Sequence, residues 1–174
     1  MKMQKLVKLS AIISASVVLT ACGSLKNVDN SWCPPETPVE RIALSADALF
    51  KFDKSSIGDL LPEGKAQLDQ VAERILSGYA TVESIELTGH TDRLGSEAYN
   101  LRLGQARAET VRDYLQAKGL STQMTATSAG ESQPVTTVCV GERATPELIA
   151  CLQADRRVTV DIKGIKKTDQ QAVK

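Results

Sequence analysis

Aromatic residues and histidine are scarce in this sequence. Phe, Trp and Tyr together make up 3% of the 174 residues, and His90 is the single histidine. A nucleic-acid-binding surface that stacks bases needs several aromatic rings, so the composition argues against that class of function. Basic and acidic residues balance at 21 each, which leaves no basic surface for nucleic acid. One histidine is also too few for the zinc site of a metallopeptidase.

Hydrophobic runs are short as well. The apolar stretch Leu9–Leu19 falls well below the roughly 18 residues that a membrane-spanning helix needs. It follows lysines at positions 2, 5 and 8, and a positive start before a short apolar run is typical of a secretory signal peptide. We therefore predict that residues 1–21 are a signal peptide. The mature chain then keeps 18 basic and 21 acidic residues.

The region around the predicted cleavage point carries a second signal. The stretch Leu19-Thr-Ala-Cys22-Gly23 resembles a lipobox, in which the cysteine becomes the first mature residue and is acylated. The resemblance implies a lipid, such as palmitate, on Cys22, and several acyl chains would anchor the protein stably. Gly23 is not the Asp that favours inner-membrane retention, which implies the outer membrane. The alternative is an ordinary cleavage site with a cysteine nearby.

Two polar segments flank the part that should fold. We interpret residues 22–39 as the lipidated N-terminus and a flexible, proline-containing tether. Residues 165–174 are polar and basic without an apolar period, so we predict a disordered tail.

Apolar periodicity between these segments predicts an α+β domain over residues 40–164. Period-2 and turn patterns predict strands, and apolar spacings of three and four predict two helices. The predicted elements are a strand at Arg41–Leu49, a helix from Pro62 to Gly78, a strand around Ser84–Leu87, a helix from Ser96 to Gly119, a short strand at Met124–Ala126 and a last strand at Val158–Ile162. The order β-α-β-α-β-β predicts two layers, with the helices packed on one face of a mixed sheet.

Three cysteines remain besides Cys22. Cys139 and Cys151 flank a polar loop, and export to an oxidising compartment favours a disulfide between them over two free thiols. Such a link would stabilise the domain by very roughly 3 kcal/mol. A zinc site is less favoured, because close-spaced Cys/His pairs are missing. Cys33 is left in the tether, either to link the chain to a partner or as an idle thiol.

A carboxylate and a guanidinium are placed to share one pocket. Asp92 lies in a glycine-flanked loop, and Asn100, Leu103 and Arg107 share one face of the following helix. A carboxylate that accepts an ammonium, opposite an arginine that binds a carboxylate, suits a zwitterionic ligand. The alternative is a surface ion pair between Asp92 and Arg107, worth about 0–1 kcal/mol.

The same residues carry a family resemblance. The sequence contains, in this order, Thr88-Gly-His-Thr-Asp92, Gly95–Asn100, Leu103 and Arg107-Ala108. This series resembles the signature of OmpA-like peptidoglycan-binding domains. Phe52-Asp53-Lys54-Ser55 resembles the family's early turn, and Cys151–Val158 its closing strand, with a cysteine pair as in OmpA. The resemblance covers roughly residues 40–164. Gly104 departs from it, because many members have Ser there, and glycine costs up to about 1 kcal/mol inside a helix.

The resemblance implies a ligand and a set of binding residues. The ligand would be the diaminopimelate residue of the peptide stem in peptidoglycan, bound noncovalently and without a metal or cofactor. Asp92 would take its free amine and Arg107 its carboxylate. The other implied residues are Thr91, Asn100 and Leu103 in the pocket wall, Phe52 and Asp53 in the early turn, and Arg156 in the closing strand.

The sequence thus predicts an outer-membrane lipoprotein that anchors the membrane, or an envelope complex, to the cell wall. We do not expect an enzyme. No arrangement singles out the carboxylate pair of a glycosidase, and no nucleophile stands at a motif spacing from His90, which we interpret as structural. A third possibility is a module whose main partner is an envelope protein, reached through the tether and Cys33.

Overall fold

The computed structural model describes residues 37–171. The predicted signal peptide, Cys22, Cys33 and most of the predicted tether lie outside the described residues. Within residues 37–171, no helix is both long enough and apolar enough to cross a membrane.

The described chain contains four strands and five helices, which we number in chain order. They are β1 (Val39–Ser45), α1 (Ala46–Leu49), α2 (Pro62–Gly78), β2 (Tyr79–His90), α3 (Glu97–Ala117), β3 (Met124–Gly130), α4 (Pro146–Cys151), β4 (Arg157–Lys166) and α5 (Lys167–Gln171). Short 3-10 turns cover Ile57–Asp59 and Leu152–Asp155.

The strands form one mixed sheet in the order β1-β4-β2-β3. Strand β4 runs antiparallel to both of its neighbours, and β2 and β3 are parallel. A parallel pair needs a long crossover, which α3 supplies. The predicted α+β class, with helices against a mixed sheet, is confirmed.

The core lies between the sheet and helices α2 and α3. The apolar face predicted for α2 is buried, and so is the face predicted for α3. These faces meet the inward residues of β2 and β4. The buried members are Leu68, Val71, Ala72 and Ile75 on α2, Ala108, Val111 and Leu115 on α3, Ile85 and Leu87 on β2, and Val158, Val160 and Ile162 on β4.

Strands β2 and β3 are longer than predicted, and the predicted loop between Cys139 and Cys151 contains the short helix α4. Two further segments differ in the type of structure. The first strand ends at Ser45, and Ala46–Leu49 forms one helical turn, which buries Ala46 and Leu49 completely. At the other end of the chain, β4 continues through Ile165 to Lys166 and α5 follows, where we had predicted a disordered tail. Pairing explains the extension, because Ile165 and Lys166 lie opposite the first residues of β2.

Two glycines let α3 pack directly against β2. A Cβ atom at Gly89 would lie 1.9 Å from the carbonyl oxygen of Gly104, and one at Gly104 would lie 2.9 Å from the carbonyl oxygen of Gly89. Neither distance is possible for a real side chain, so both positions need glycine. Gly104, the departure from the family pattern, therefore offsets its helix penalty by allowing this close approach. The contact brings the first half of α3 beside the end of β2.

Candidate functional site

A cavity of about 170 Å³ opens where β1 and β2 end and β4 begins. All eight residues that the sequence predicted for the binding site line this cavity: Phe52, Asp53, Thr91, Asp92, Asn100, Leu103, Arg107 and Arg156. Five further residues complete the lining: Asp47, Leu94, Tyr99, Ala144 and Ile149. Asp47 is the one charged lining residue that the sequence analysis did not name.

Arg156 lies between two carboxylates at the centre of the cavity. Its Nη1 donates to Asp92 Oδ2 at 2.7 Å, and its Nη2 donates to Asp47 Oδ2 at 2.7 Å. Its Nε also donates to Asp47 Oδ1, at 3.0 Å. These bonds, first those with Asp47, raise the pKa of Arg156 above its usual value, against the opposing effect of burial. The result is a fixed Asp47–Arg156–Asp92 cluster.

Asp92 is held in place from three sides. Besides its contact with Arg156, its Oδ1 accepts a bond from the Leu94 amide at 2.9 Å, which closes a local turn. Its carbonyl oxygen accepts a bond from Asn100 Nδ2 at 3.1 Å, so α3 is tied to the loop. Asp92 is 8% exposed. A buried carboxylate in one fixed orientation is suited to recognition.

Arg107 reaches the same cavity from α3. It is 4% exposed, its Nε donates to the Lys54 carbonyl at 2.9 Å, and its guanidinium lies 5.7 Å from the centre of the Phe50 ring. Burial lowers its pKa, although the negative charges of Asp47 and Asp53 oppose the shift. Within residues 37–171, its two terminal nitrogens have no hydrogen-bond partner. They are the donors left for a ligand.

The ion pair considered as an alternative, between Asp92 and Arg107, is not formed among the described contacts. Asp92 pairs with Arg156 instead, and Arg107 bonds to a backbone carbonyl. The two charges therefore face the same cavity without neutralising each other directly.

The early turn forms one side of the opening. Asp53 has a φ of +58°, and its carboxylate accepts a hydrogen bond from the Tyr99 hydroxyl. Phe52 projects into solvent and is 87% exposed, although its ring also lines the cavity. Tyr99 on α3 thus also contributes to the cavity wall.

Thr91 adds a polar atom that the protein does not use. Its Oγ1 is buried and has no hydrogen-bond partner among the described residues. Buried hydroxyls are nearly always paired, and leaving one unpaired costs about 1–3 kcal/mol. Because Thr91 lines the cavity, this oxygen is available to a polar ligand.

Of the five further lining residues, Leu94 and Tyr99 lie inside the stretch from Thr88 to Arg107 that carries the family signature. The other three come from two segments elsewhere in the chain. Asp47 lies on α1, which we had assigned to a strand, although a Ser before an acidic first turn is a helix-start signal. Ala144 and Ile149 belong to the loop that the Cys139–Cys151 disulfide closes. That disulfide is present, as predicted. No pattern in the loop indicated its contact with the cavity.

His90 is structural, as the sequence suggested, and lies outside the cavity lining. Arg157 Nη2 approaches its Nδ1 at 3.3 Å as a donor, so the proton of the neutral ring is on Nε2, which faces Thr159 Oγ1 at 3.3 Å. Burial, followed by the positive charges of Arg157 and Arg41, lowers the pKa of His90 to about 4, while Asp161 opposes the shift. Its imidazole is therefore neutral at neutral pH.

This shift predicts a pH dependence of stability. Between pH 6.5 and about 4, the unfolded chain binds a proton at His90 that the folded protein does not bind, so the free energy of unfolding falls as the pH falls through that window. The loss amounts to at most about 3 kcal/mol. Urea denaturation of the wild type and His90→Gln at pH 7 and pH 4.5 measures it. We expect the wild type to lose more stability than the variant, and equal losses would contradict the assignment.

This chain is similar in sequence to a known family of proteins. The OmpA family model matches residues 49–145. Outer membrane protein A of Shigella flexneri is 41% identical over 134 residues, which are 76% of this chain and 38% of that protein. Outer membrane protein A of Citrobacter freundii is 41% identical over 133 residues, 75% of this chain and 55% of that sequence. The chain therefore spans less than two thirds of the length of these relatives.

Solved structures share the fold. The cell wall anchor of the T6SS from Pseudomonas aeruginosa has a TM-score of 0.56 at 24% identity, covering 72% of this chain and 82% of that one. The OmpA-like domain of FopA1 from Francisella tularensis has a TM-score of 0.53 at 19% identity, covering 74% and 75%. At these identities the likeness concerns the fold alone, whereas the family match rests on sequence. Fold, signature and sequence similarity agree, and the chain belongs to the OmpA family.

Proposed function

We propose that this chain is an outer-membrane lipoprotein whose OmpA-like domain binds the diaminopimelate residues of peptidoglycan stems. It would thereby anchor the outer membrane, or an envelope complex, to the cell wall. The binding is noncovalent and needs neither a metal nor a cofactor. The family match, the names of the outer-membrane relatives and the wall anchor with the same fold support this proposal.

The observation that carries the proposal is the set of unused polar groups in one cavity. The free terminal nitrogens of Arg107 indicate a ligand with a carboxylate, because a guanidinium binds a carboxylate with two parallel hydrogen bonds. Asp92 already accepts one bond at each oxygen, and each oxygen keeps a further lone pair for an ammonium. The Thr91 hydroxyl can donate or accept. Together these groups match the amino-acid end of diaminopimelate, which carries an ammonium beside a carboxylate.

Charge and shape agree with the same ligand. Three carboxylates and two guanidiniums line the cavity, so a neutral zwitterion enters without a large net charge mismatch. Leu94, Leu103 and Ile149 add apolar surface against which the methylene chain of the ligand can pack. The charged groups of Asp92 and Arg107 are largely shielded from water. An ionic contact with a ligand is stronger in this environment than at the protein surface.

The same geometry supports binding rather than catalysis. The cavity lining contains a threonine hydroxyl, but His90, the only histidine, has both ring nitrogens engaged elsewhere. A hydroxyl nucleophile needs a neighbouring base to be activated. We therefore propose that the domain holds the peptide stem without cutting it.

The membrane side of the proposal depends on residues outside the described part of the chain. Cys22, in its lipobox-like context, would carry the lipid, and the tether would hold the domain away from the membrane. Cys33 in that tether would offer a second attachment, to an envelope protein partner.

Co-sedimentation with purified sacculi tests the proposal. We expect the full chain, in mild detergent, to pellet with sacculi that contain diaminopimelate, and free diaminopimelate to release it. Sacculi stripped of their peptide stems by an amidase are the control and should not retain the chain. Equal retention on stripped sacculi would show that the chain recognises glycan or binds unspecifically, and would refute the proposed ligand.

A further inference from the structure

The segment closed by the Cys139–Cys151 disulfide touches the charged centre of the cavity directly. The carbonyl oxygen of Ile149, two residues before Cys151, accepts a hydrogen bond from Arg156 Nη1 at 3.0 Å. The same nitrogen donates to Asp92 Oδ2. Ile149 and Ala144 also line the cavity. The position of the Arg156 guanidinium therefore depends partly on where this segment lies.

The other end of the segment is tied to the neighbour of Asp92. Arg93 Nη2 donates to the Cys139 carbonyl at 2.8 Å and to the Gly141 carbonyl at 3.0 Å. Arg93 follows Asp92 directly in the sequence. The segment thus contacts Asp92's surroundings from both of its ends, once through Arg156 and once through Arg93.

Little else holds the segment in place. Leu148 is buried within it and Leu152 directly after it, but neither belongs to the main hydrophobic core. Val140 is 90% exposed, and residues 142–147 are exposed as well. A segment with so few buried contacts depends on its hydrogen bonds and covalent links to keep its position. The disulfide, which joins its two ends covalently, is one such link.

We infer that the Cys139–Cys151 disulfide is a positioning element of the binding cavity. It holds the Ile149 carbonyl against Arg156, and Arg156 in turn holds the carboxylate of Asp92 ready for the ligand's ammonium. This inference rests on the proposed function. Without the link, the ligand would have to order the segment on binding, and that ordering lowers affinity.

The binding test replaces both cysteines in the full chain. Cys139→Ser/Cys151→Ser changes two positions that are half-buried and exposed, so we expect the circular dichroism spectrum to stay that of the wild type. We expect its affinity for a soluble stem peptide containing diaminopimelate to fall at least tenfold. Cys33→Ser is the matched control, because it removes a cysteine and leaves this disulfide intact, and it should bind like the wild type. Unchanged affinity in the double serine variant would overturn the inference.

A double-mutant cycle separates positioning from a general structural effect. Arg156→Lys keeps the charge but loses the forked geometry that reaches Asp92, Asp47 and Ile149 together. If the disulfide acts through Arg156, combining the serine pair with Arg156→Lys should weaken binding less than the product of the two separate effects. Independent, multiplying effects would count against positioning through Arg156.

A measurement without ligand keeps this inference separate from the proposed function. Arg156 Nε–H donates to Asp47 and should give a sharp, slowly exchanging NMR signal in the wild type. We expect that signal to broaden in the Cys139→Ser/Cys151→Ser variant. An unchanged signal would overturn the positioning role, whether or not the wild type binds peptidoglycan. A broadened signal in a chain that does not bind the wall would refute only the proposed ligand.

Discussion

Arg107→Ala and Asp92→Ala should each abolish retention of the chain on sacculi that contain diaminopimelate. Each change removes one of the two charges that would face the ligand's amino-acid end. The opposite charge on the ligand is then buried without a partner, at a cost of about 2–5 kcal/mol. Since about 1.4 kcal/mol corresponds to a tenfold change in affinity, the expected loss is roughly 30-fold to several thousandfold. Co-sedimentation with sacculi over a range of protein concentrations measures it.

The environment of each residue suggests that these variants fold. Removing Asp92 leaves Arg156 paired with Asp47, so that guanidinium keeps a partner. Removing Arg107 takes away a buried cation whose only hydrogen bond among the described residues goes to the Lys54 carbonyl. Thermal melts of both variants should therefore resemble that of the wild type, and the binding assay then reports on recognition.

Conservative and distant variants serve as controls. Arg107→Lys keeps the positive charge but not the fork that matches a carboxylate, so we expect weakened rather than abolished binding. Arg102→Ala removes an exposed arginine from the same helix and should bind like the wild type. Folded Asp92 and Arg107 variants that bind as tightly as Arg102→Ala would refute the zwitterion pocket.

Gly89→Ala should destabilise the fold far more than an alanine at a glycine with open space around it. The added Cβ would lie 1.9 Å from the Gly104 carbonyl oxygen and 2.8 Å from its Cα, so it meets backbone rather than a movable side chain. Helix α3 has to move away from β2 to make room. Overpacking costs about 1–3 kcal/mol and occasionally more, and a clash with backbone should lie at the upper end of that range. The midpoint of urea denaturation should fall accordingly.

Gly78→Ala is the matched control for this prediction. Gly78 ends α2, and a Cβ there meets no atom within 4 Å. Because alanine favours the helix over glycine, we expect a change between zero and a gain of about 1 kcal/mol. If the two alanine variants denature at the same urea concentration, α3 does not approach β2 as closely as described.

The close approach at Gly89 also links the fold to the site. The same contact places Asn100, Leu103 and Arg107 next to the loop that carries Asp92. Any Gly89→Ala protein that does fold should therefore bind the wall more weakly, because its α3 has shifted.

Local patterns were enough to predict much of the fold. Helices α2 and α3 keep a regular apolar period, Pro62 and Ser96 lie at their starts, and Ser96 Oγ accepts a bond from the Tyr99 amide as a capping residue should. Strand β2 was predicted only in part, around Ser84–Leu87. Register shifts near Thr81 and Ser84 break the alternation at its start, and Gly89 indicated a loop at its end. The end of β4 was missed because its pairing with the start of β2 depends on residues far away in the sequence.

The residues of the site were likewise predicted where a local sequence pattern marks them and missed where none does. The ordered signature from Thr88 to Arg107 carried the resemblance, and through it the residues on β2 and α3. Asp47 had no such signal, since its role depends on Arg156, 109 residues later in the chain. The contact of Ile149 with Arg156 involves a backbone carbonyl, which no side-chain pattern reveals. Both features depend on contacts between residues far apart in the sequence or on backbone atoms, and local sequence patterns do not reveal such contacts.

The most direct test of the account compares two kinds of cell wall. The full chain is sedimented with sacculi whose stems contain diaminopimelate and with sacculi whose stems contain lysine, which lacks the second carboxylate. We expect retention on the first and little or none on the second, because Arg107 needs that carboxylate. Equal retention on both would contradict the claim that this cavity recognises the zwitterionic end of diaminopimelate.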